Sequence, residues 1–220
     1  MAPEFPQGAV SLVSGGHEQL AELAGQEGVV DLIIPRGGEG LKKALSAVAK
    51  VPVIYAASGN CHVYVDASAD LGAALRIVLN AKTQRPGVCN AAETLLVHAD
   101  TAAEFLPAAG AALRDAGVEL RAEARAAALL EGSVAATEED FAEEFLALVL
   151  AVKVVDSAEE AIEHVNRYGS GHSEAIVTGS AAAASACTSR VSAALQTPGR
   201  WILAFSTIRS AASRSADAST

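Results

Sequence analysis

Asn80-Ala81-Lys82-Thr83-Gln84-Arg85-Pro86-Gly87-Val88-Cys89-Asn90-Ala91-Ala92-Glu93-Thr94 places a cysteine just past a Pro-Gly turn. An amphipathic helix precedes it and a Leu-Leu-Val strand follows it. Pro86 and Gly87 bend the chain sharply, so Cys89 is expected on a stiff turn and not inside a regular element. Successive backbone N–H groups at such a turn point toward an anion, and Lys82 and Arg85 add positive charge nearby. Both effects favour the thiolate, the reactive form of cysteine. Amide donors around a cysteine also suit the oxyanion formed when a thiolate attacks a carbonyl. The competing reading is a small apolar residue packed behind a turn. Spacing alone leaves both open.

Upstream of this segment, Asp70 opens a helix whose apolar stripe runs through Leu71, Leu75, Val78 and Leu79. Cys61-His62-Val63-Tyr64-Val65-Asp66 reads as a strand. Neighbours on a strand point to opposite faces, so Cys61 and His62 are expected to be packed and hydrogen-bonded, not joined at a metal. Val51 to Tyr55 is a short strand. Val29 to Ile34 is a continuous apolar run, the pattern of a strand buried on both faces. It ends in Pro35-Arg36-Gly37-Gly38-Glu39-Gly40 before a helix at 41–49. Strand, glycine-rich turn and helix form the plan of a phosphate-binding corner, although a plain tight turn has the same signature.

Downstream, Glu93 to Ala99 is a strand and Thr101 to Gly117 a helix. Val118 to Leu120 is a strand, followed by a helix over 122–130. Thr137-Glu138-Glu139-Asp140 reads as a helix start, and its acidic cluster as a solvated face. Leu146 to Val155 is a buried strand, Ala158 to Arg167 an amphipathic helix, Ser173 to Thr178 a strand and Ala181 to Arg190 a helix. This alternation predicts α/β layers on a mostly parallel sheet. The turn at Tyr168-Gly169-Ser170-Gly171-His172-Ser173 has donors to line a pocket, or is a helix C-cap with a surface histidine.

Composition narrows the function classes. The 220 residues are 51% hydrophobic and 19% charged, with a formal net charge of -10. No basic stripe is present to neutralise phosphates, which argues against a nucleic-acid partner. No apolar run approaches the ~20 residues needed to span a bilayer, so no membrane partner is expected. The start, Met-Ala-Pro-Glu-Phe-Pro, lacks the features of a signal peptide. Three cysteines without paired spacing suit a reducing compartment, so a cytoplasmic protein is expected, with no metal.

The cysteine segment resembles the active-cysteine segment of the gamma-glutamyl phosphate reductases, also called glutamate-5-semialdehyde dehydrogenases, within the aldehyde dehydrogenase superfamily. Asp31-Leu-Ile-Ile-Pro-Arg-Gly-Gly38, Gly59-Asn-Cys-His-Val-Tyr-Val-Asp66, Ala151-Val-Lys-Val-Val-Asp-Ser157 and the run from Ala161 to Ile176 match the same family in the same order. The match covers about Gln7 to Ala194. It implies an α/β fold, with an aldehyde dehydrogenase-like catalytic domain over 56–194 and a truncated Rossmann-type NADP-binding remnant over 1–55. From Leu195 the family pattern stops. Residues 195–220 are expected to be a divergent, disordered tail, the mark of a shifted frame or a chimeric end.

The resemblance implies NADPH-dependent reduction of L-glutamyl 5-phosphate to the 5-semialdehyde through a thioester on Cys89, as in proline biosynthesis. It implies cofactor contacts from Arg36, Gly37, Gly38 and Glu144, and substrate contacts from Asn60, Arg85 and His172. Leu146 stands where many relatives have an aromatic residue, and Tyr55 where hydrolytic relatives place a glutamate base. Phosphate displacement needs no such base. The implied partners are a small-molecule substrate and a homo-oligomer or an associated glutamate 5-kinase. The alternative is a non-catalytic fragment of such an enzyme.

Overall fold

The computed structural model describes residues 6, 8–37, 39–54, 59–193 and 201–206. The chain divides into two compact units, Met1–Ala56 and Ala57–Thr220.

In the first unit, helix α1 spans His17–Ala24 and α2 spans Glu39–Val48. The apolar run at 29–34 departs from expectation. Among the described residues only Ile33 pairs, in a single parallel bridge to Val53, while Val29, Leu32 and Ile34 are exposed. An apolar run becomes a buried strand only when neighbours cover its faces, and periodicity carries no information about neighbours.

Among the described residues the second unit has seven strands: β1 Cys61–Val65, β2 Ala92–His98, β3 Glu119–Ala122, β4 Val134–Ala135, β5 Val149–Val155, β6 Ser173–Thr178 and β7 Trp201–Ser206. They form one sheet in the order β4-β3-β5-β2-β1-β6-β7, and every pairing is parallel. Strand β7 lies in the segment expected to be disordered. Trp201-Ile-Leu-Ala-Phe has strong β propensity, and its backbone extends the sheet beside β6.

Helices cover both faces, as an all-parallel sheet requires. Alternation along β1 and β2 sends Val63, Val65, Leu95 and Val97 to one face, where they pack with α3 (Leu71–Thr83) and α4 (Ala99–Asp115). Tyr64 and Leu96 point to the other face, with Ile162 and Val165 of α6 (Ala158–Tyr168) and Cys187 of α7 (Ala181–Ala193). Local capping explains where these helices begin. Asp70 Oδ1 accepts from Ala73 N at 2.9 Å, and Ser157 Oγ accepts from Glu160 N at 3.2 Å. At α4 the cap is His98, whose Nδ1 accepts from Asp100 N.

Two further elements are shorter than expected. The helix read over 122–130 shrinks to one turn, α5, at Ala124–Ala127. The start expected at Thr137 yields only a 3-10 turn, Glu139–Phe141. Its Asp140 is buried and not solvated: Arg121 Nη1 donates to Oδ1 at 2.6 Å and Thr137 N to Oδ2 at 2.7 Å. Burial works against the charged form of Asp140, but those donors outweigh it and hold the carboxyl below its ordinary value.

Candidate active site

Cys89 sits on the turn between α3 and β2, exposed to solvent. The turn is closed by backbone bonds from Val88 N to Arg85 O and from Ala91 N to Val88 O. Neither Cys89 N–H nor Asn90 N–H has a partner among the described residues. An exposed thiol with two unspent amide donors beside it is the arrangement needed to attack a carbonyl and hold the resulting oxyanion.

The turn is pinned from below. Lys82, in the last turn of α3, donates from Nζ to Glu93 Oε2 at 2.5 Å, and both side chains are fully buried. Lys82 is therefore not the surface charge beside Cys89 that the sequence suggests. Burial pushes the lysine down and the glutamate up from their ordinary values, and each group's attraction for the other opposes that shift. Glu93 Oε1 accepts from Leu146 N at 3.3 Å. Leu146 is held at φ 52, the only non-glycine in the left-handed region among the described residues.

A second support comes from Gly59. A Cβ at this position would lie 1.9 Å from the carbonyl oxygen of Cys89, so only glycine permits the approach. Gly59 N donates to Glu144 Oε1 at 2.6 Å, which ties the expected cofactor residue Glu144 to the segment that leads into β1. Cys61, two residues on, is buried and directs its Sγ to Cys89 O at 3.2 Å. Burial pushes the Cys61 thiol up, which keeps it protonated as a donor.

Asn60 is buried, and its amide donates to Phe141 O at 2.8 Å and Tyr168 O at 2.9 Å. Its donors thus belong to the framework, and only Oδ1 lacks a partner. His172 is half-buried with Nδ1 2.9 Å from Ser173 Oγ. Arg85 is exposed on the rim of a cleft of about 490 Å³ that runs beneath the cysteine turn. Val88 and Asn90, on either side of Cys89, line this cleft. Arg36 and Gly37 lie in the first unit, at the corner before α2, where a Cβ on Gly37 would meet Leu41 Cδ2 at 2.7 Å. Gly38 and Tyr55 lie outside the described residues.

Sequence reading missed the Lys82–Glu93 pair, Gly59 and Glu174. Glu174 is buried, and its Oε2 accepts from His62 N at 2.7 Å and lies 3.2 Å from His62 Nδ1. A Lys and a Glu eleven residues apart carry no periodic signal. The glycine before a strand is a usable signal, since it marks a close backbone approach.

The chain is 52% identical over 191 residues to the gamma-glutamyl phosphate reductase of Heliobacterium modesticaldum, covering 86% of this chain and 46% of that protein. The crystal structure of the gamma-glutamyl phosphate reductase of Thermotoga maritima superposes with a TM-score of 0.79 at 41% identity, over 86% of this chain and 44% of that one. A 3,6-anhydro-L-galactose dehydrogenase in complex with NAP shares the fold at 16% identity, with a TM-score of 0.66 over 87% of this chain and 50% of that one. The chain thus spans less than half the length of the curated relatives that it matches. The profile of the aldehyde dehydrogenase family matches residues 2–129, a span that holds Cys89, Gly59 and the Lys82–Glu93 pair, and the chain belongs to that family.

Proposed function

We propose that this chain carries the catalytic cysteine of an NADP-linked reductase of L-glutamyl 5-phosphate, the step that yields glutamate 5-semialdehyde in proline biosynthesis. The observation that carries the reading is the exposed Cys89 thiol beside the unspent N–H groups of Cys89 and Asn90. The names of the similar proteins supply the substrate, an acyl phosphate of glutamate.

Cys89 thiolate attacks the acyl carbon, a C–S bond forms, and the two N–H groups receive the oxyanion. Collapse breaks the carbon–oxygen bond to phosphate and leaves a thioester on Cys89. Arg85, exposed four residues before Cys89, offers a cation for the departing phosphate. Each amide donor on the oxyanion contributes about 3 kcal/mol of transition-state stabilisation. Gly59, Cys61 and the Lys82–Glu93 pair hold the turn still while this happens, so the donors need no rearrangement.

A nicotinamide cofactor, when bound, supplies the hydride that takes the thioester to the aldehyde level. The residues present suit one. Glu144 Oε2 has no partner among the described residues and can accept from a ribose hydroxyl, since Oε1 is taken by Gly59.

The test is direct. Purified chain is mixed with freshly generated glutamyl 5-phosphate, and intact mass and peptide mapping follow the acyl adduct while inorganic phosphate is assayed. One glutamyl group on Cys89 is expected per phosphate released above the protein-free rate, and none in Cys89→Ser. Acylation elsewhere, or phosphate release that exceeds the protein-free rate equally in Cys89→Ser, would overturn the reading.

A further inference from the structure

Two of the three thiols meet at the cysteine turn. Cys61, the first residue of β1, directs its Sγ to the carbonyl oxygen of Cys89 at 3.2 Å. Covalent geometry puts a carbonyl oxygen about 2.4 Å from the Cα of its own residue, so Cys61 Sγ lies within about 5.6 Å of Cys89 Cα. The backbone just before β1 presses on the same residue, since a Cβ on Gly59 would lie 2.4 Å from Cys89 Cα. A disulfide needs Cβ atoms about 3.5–4.5 Å apart, which rotation about the Cys89 Cα–Cβ bond and a shift of roughly 1–2 Å in the turn supply. The turn is exposed, and Cys89 N–H has no partner among the described residues that such a shift would break. Cys187 has no such access: it packs on the opposite face of the sheet with Tyr64 and Leu96, whereas Cys61 lines the cleft beside α3.

We propose that Cys61 and Cys89 are a site of reversible oxidative modification, at which a peroxide converts the two thiols to a disulfide. The Cys89 thiolate attacks one peroxide oxygen, the O–O bond breaks, and hydroxide leaves and takes up the proton that Cys89 had given to solvent. Cys89 is then a sulfenic acid. Cys61 Sγ attacks Cys89 Sγ, the S–S bond forms and the S–O bond breaks, and the hydroxyl departs as water with the Cys61 proton. Two electrons pass from two thiols to one hydrogen peroxide, and two waters form. A dithiol reductant reverses the bond. The order of events follows from the surroundings. Cys89 is exposed and meets the oxidant, whereas Cys61 is 3% exposed. Burial pushes the Cys61 thiol up, and repulsion from Glu174 and from Cys89 adds to it, so Cys61 keeps its proton until a sulfenic acid stands beside it. A resolving thiol next to an exposed one halts oxidation at the reversible stage, before the irreversible sulfinic acid.

The test treats the whole reduced chain with hydrogen peroxide, alkylates the remaining thiols with N-ethylmaleimide, and maps the peptides without reduction. Monomeric protein lighter by two hydrogens is expected, with the Cys61 and Cys89 peptides joined and only Cys187 alkylated. Dithiothreitol should restore all three thiols. Cys187→Ala should form the same bond. In Cys89→Ser, Cys61 should stay reduced and alkylatable, because its oxidation runs through Cys89. In Cys61→Ser, whose hydroxyl can still donate to Cys89 O, Cys89 should pass to the sulfinic acid several-fold faster than in the parent protein. The proposal falls if Cys89 reaches the sulfinic acid equally fast in parent and Cys61→Ser. It falls as well if the only disulfide joins two chains or involves Cys187, or if peroxide leaves both Cys61 and Cys89 alkylatable. The readout is covalent mass, so it is independent of whether an acyl phosphate modifies Cys89, and either reading can fail without the other.

Discussion

Lys82 Nζ and Glu93 Oε2 meet at 2.5 Å with neither side chain exposed, and the loop between them carries Cys89. The pair clamps the end of α3 to the start of β2, and Glu93 Oε1 extends the clamp to Leu146. A buried ion pair is not a large net source of stability, because desolvation offsets the attraction. Its value here is positional: the two ends of the cysteine turn cannot separate without stranding a charge.

Breaking one side should therefore cost far more than removing both. Lys82→Met leaves Glu93 buried without its cation and is expected to destabilise the fold by about 3–5 kcal/mol. Lys82→Met/Glu93→Leu should recover more than half of that loss. Urea unfolding of the four members of this cycle measures it. Single and double variants of equal stability would show that the pair is not coupled.

Gly59→Ala is expected to disturb the cysteine turn directly. The added carbon would lie 1.9 Å from Cys89 O, and both partners are backbone, so neither can step aside cheaply. A loss of about 2 kcal/mol or more is expected, with a changed alkylation rate at Cys89. An unaltered rate and stability would mean that the approach of the two backbone segments is looser than this packing implies.

Among the three thiols, Cys89 should react first. It is exposed, whereas Cys61 and Cys187 are buried. Burial also pushes Cys61 away from its thiolate, with Glu174 adding repulsion. Timed iodoacetamide labelling with peptide mapping is expected to show Cys89 modified ~100-fold faster than either. Equal labelling of Cys61 would remove the basis for singling out Cys89.

The α/β plan was legible because its signals are local. Apolar runs at β1, β2, β5 and β6 alternate with helices marked by Asp70 and Ser157, and the Pro86-Gly87 step announces the turn that presents Cys89. The rest depends on contacts between distant residues. Lys82 reads as a solvated cation in a helix's last turn until Glu93 is placed beside it. Asp140 reads as one of several surface acids until Arg121, 19 residues earlier, reaches it. Conversely, the Val29 to Ile34 run reads as buried because its composition is apolar, yet among the described residues only Ile33 finds a strand partner. Glu174 gave no signal at all, since its role depends on His62, 112 residues away.

Acid should destabilise this protein through His164 before the carboxylates titrate. His164 lies on α6 with 5% exposure, packed edge-on against Phe141 with ring centroids 5.1 Å apart and against His62 at 5.5 Å. Its Nε2 is buried without a partner. Burial, reinforced by repulsion from His62, Lys153 and Arg167, lowers its pKa to about 3. In the unfolded chain a histidine titrates near 6.5. Between those values the unfolded state binds a proton that the folded state refuses, so stability rises with pH there. The contribution is complete above about 6.5 and is lost as pH falls toward 3, at up to about 1.4 kcal/mol per pH unit. From pH 6.5 to 5 the loss should approach 2 kcal/mol, before most carboxylates gain protons. His164→Phe keeps a ring in the same pocket and removes the titration. Its urea midpoint should change less over that range than that of the parent protein, by an amount equivalent to about 1–2 kcal/mol. Parallel pH profiles for the two proteins would show that His164 accepts a proton in the folded state, which would require its pocket to open.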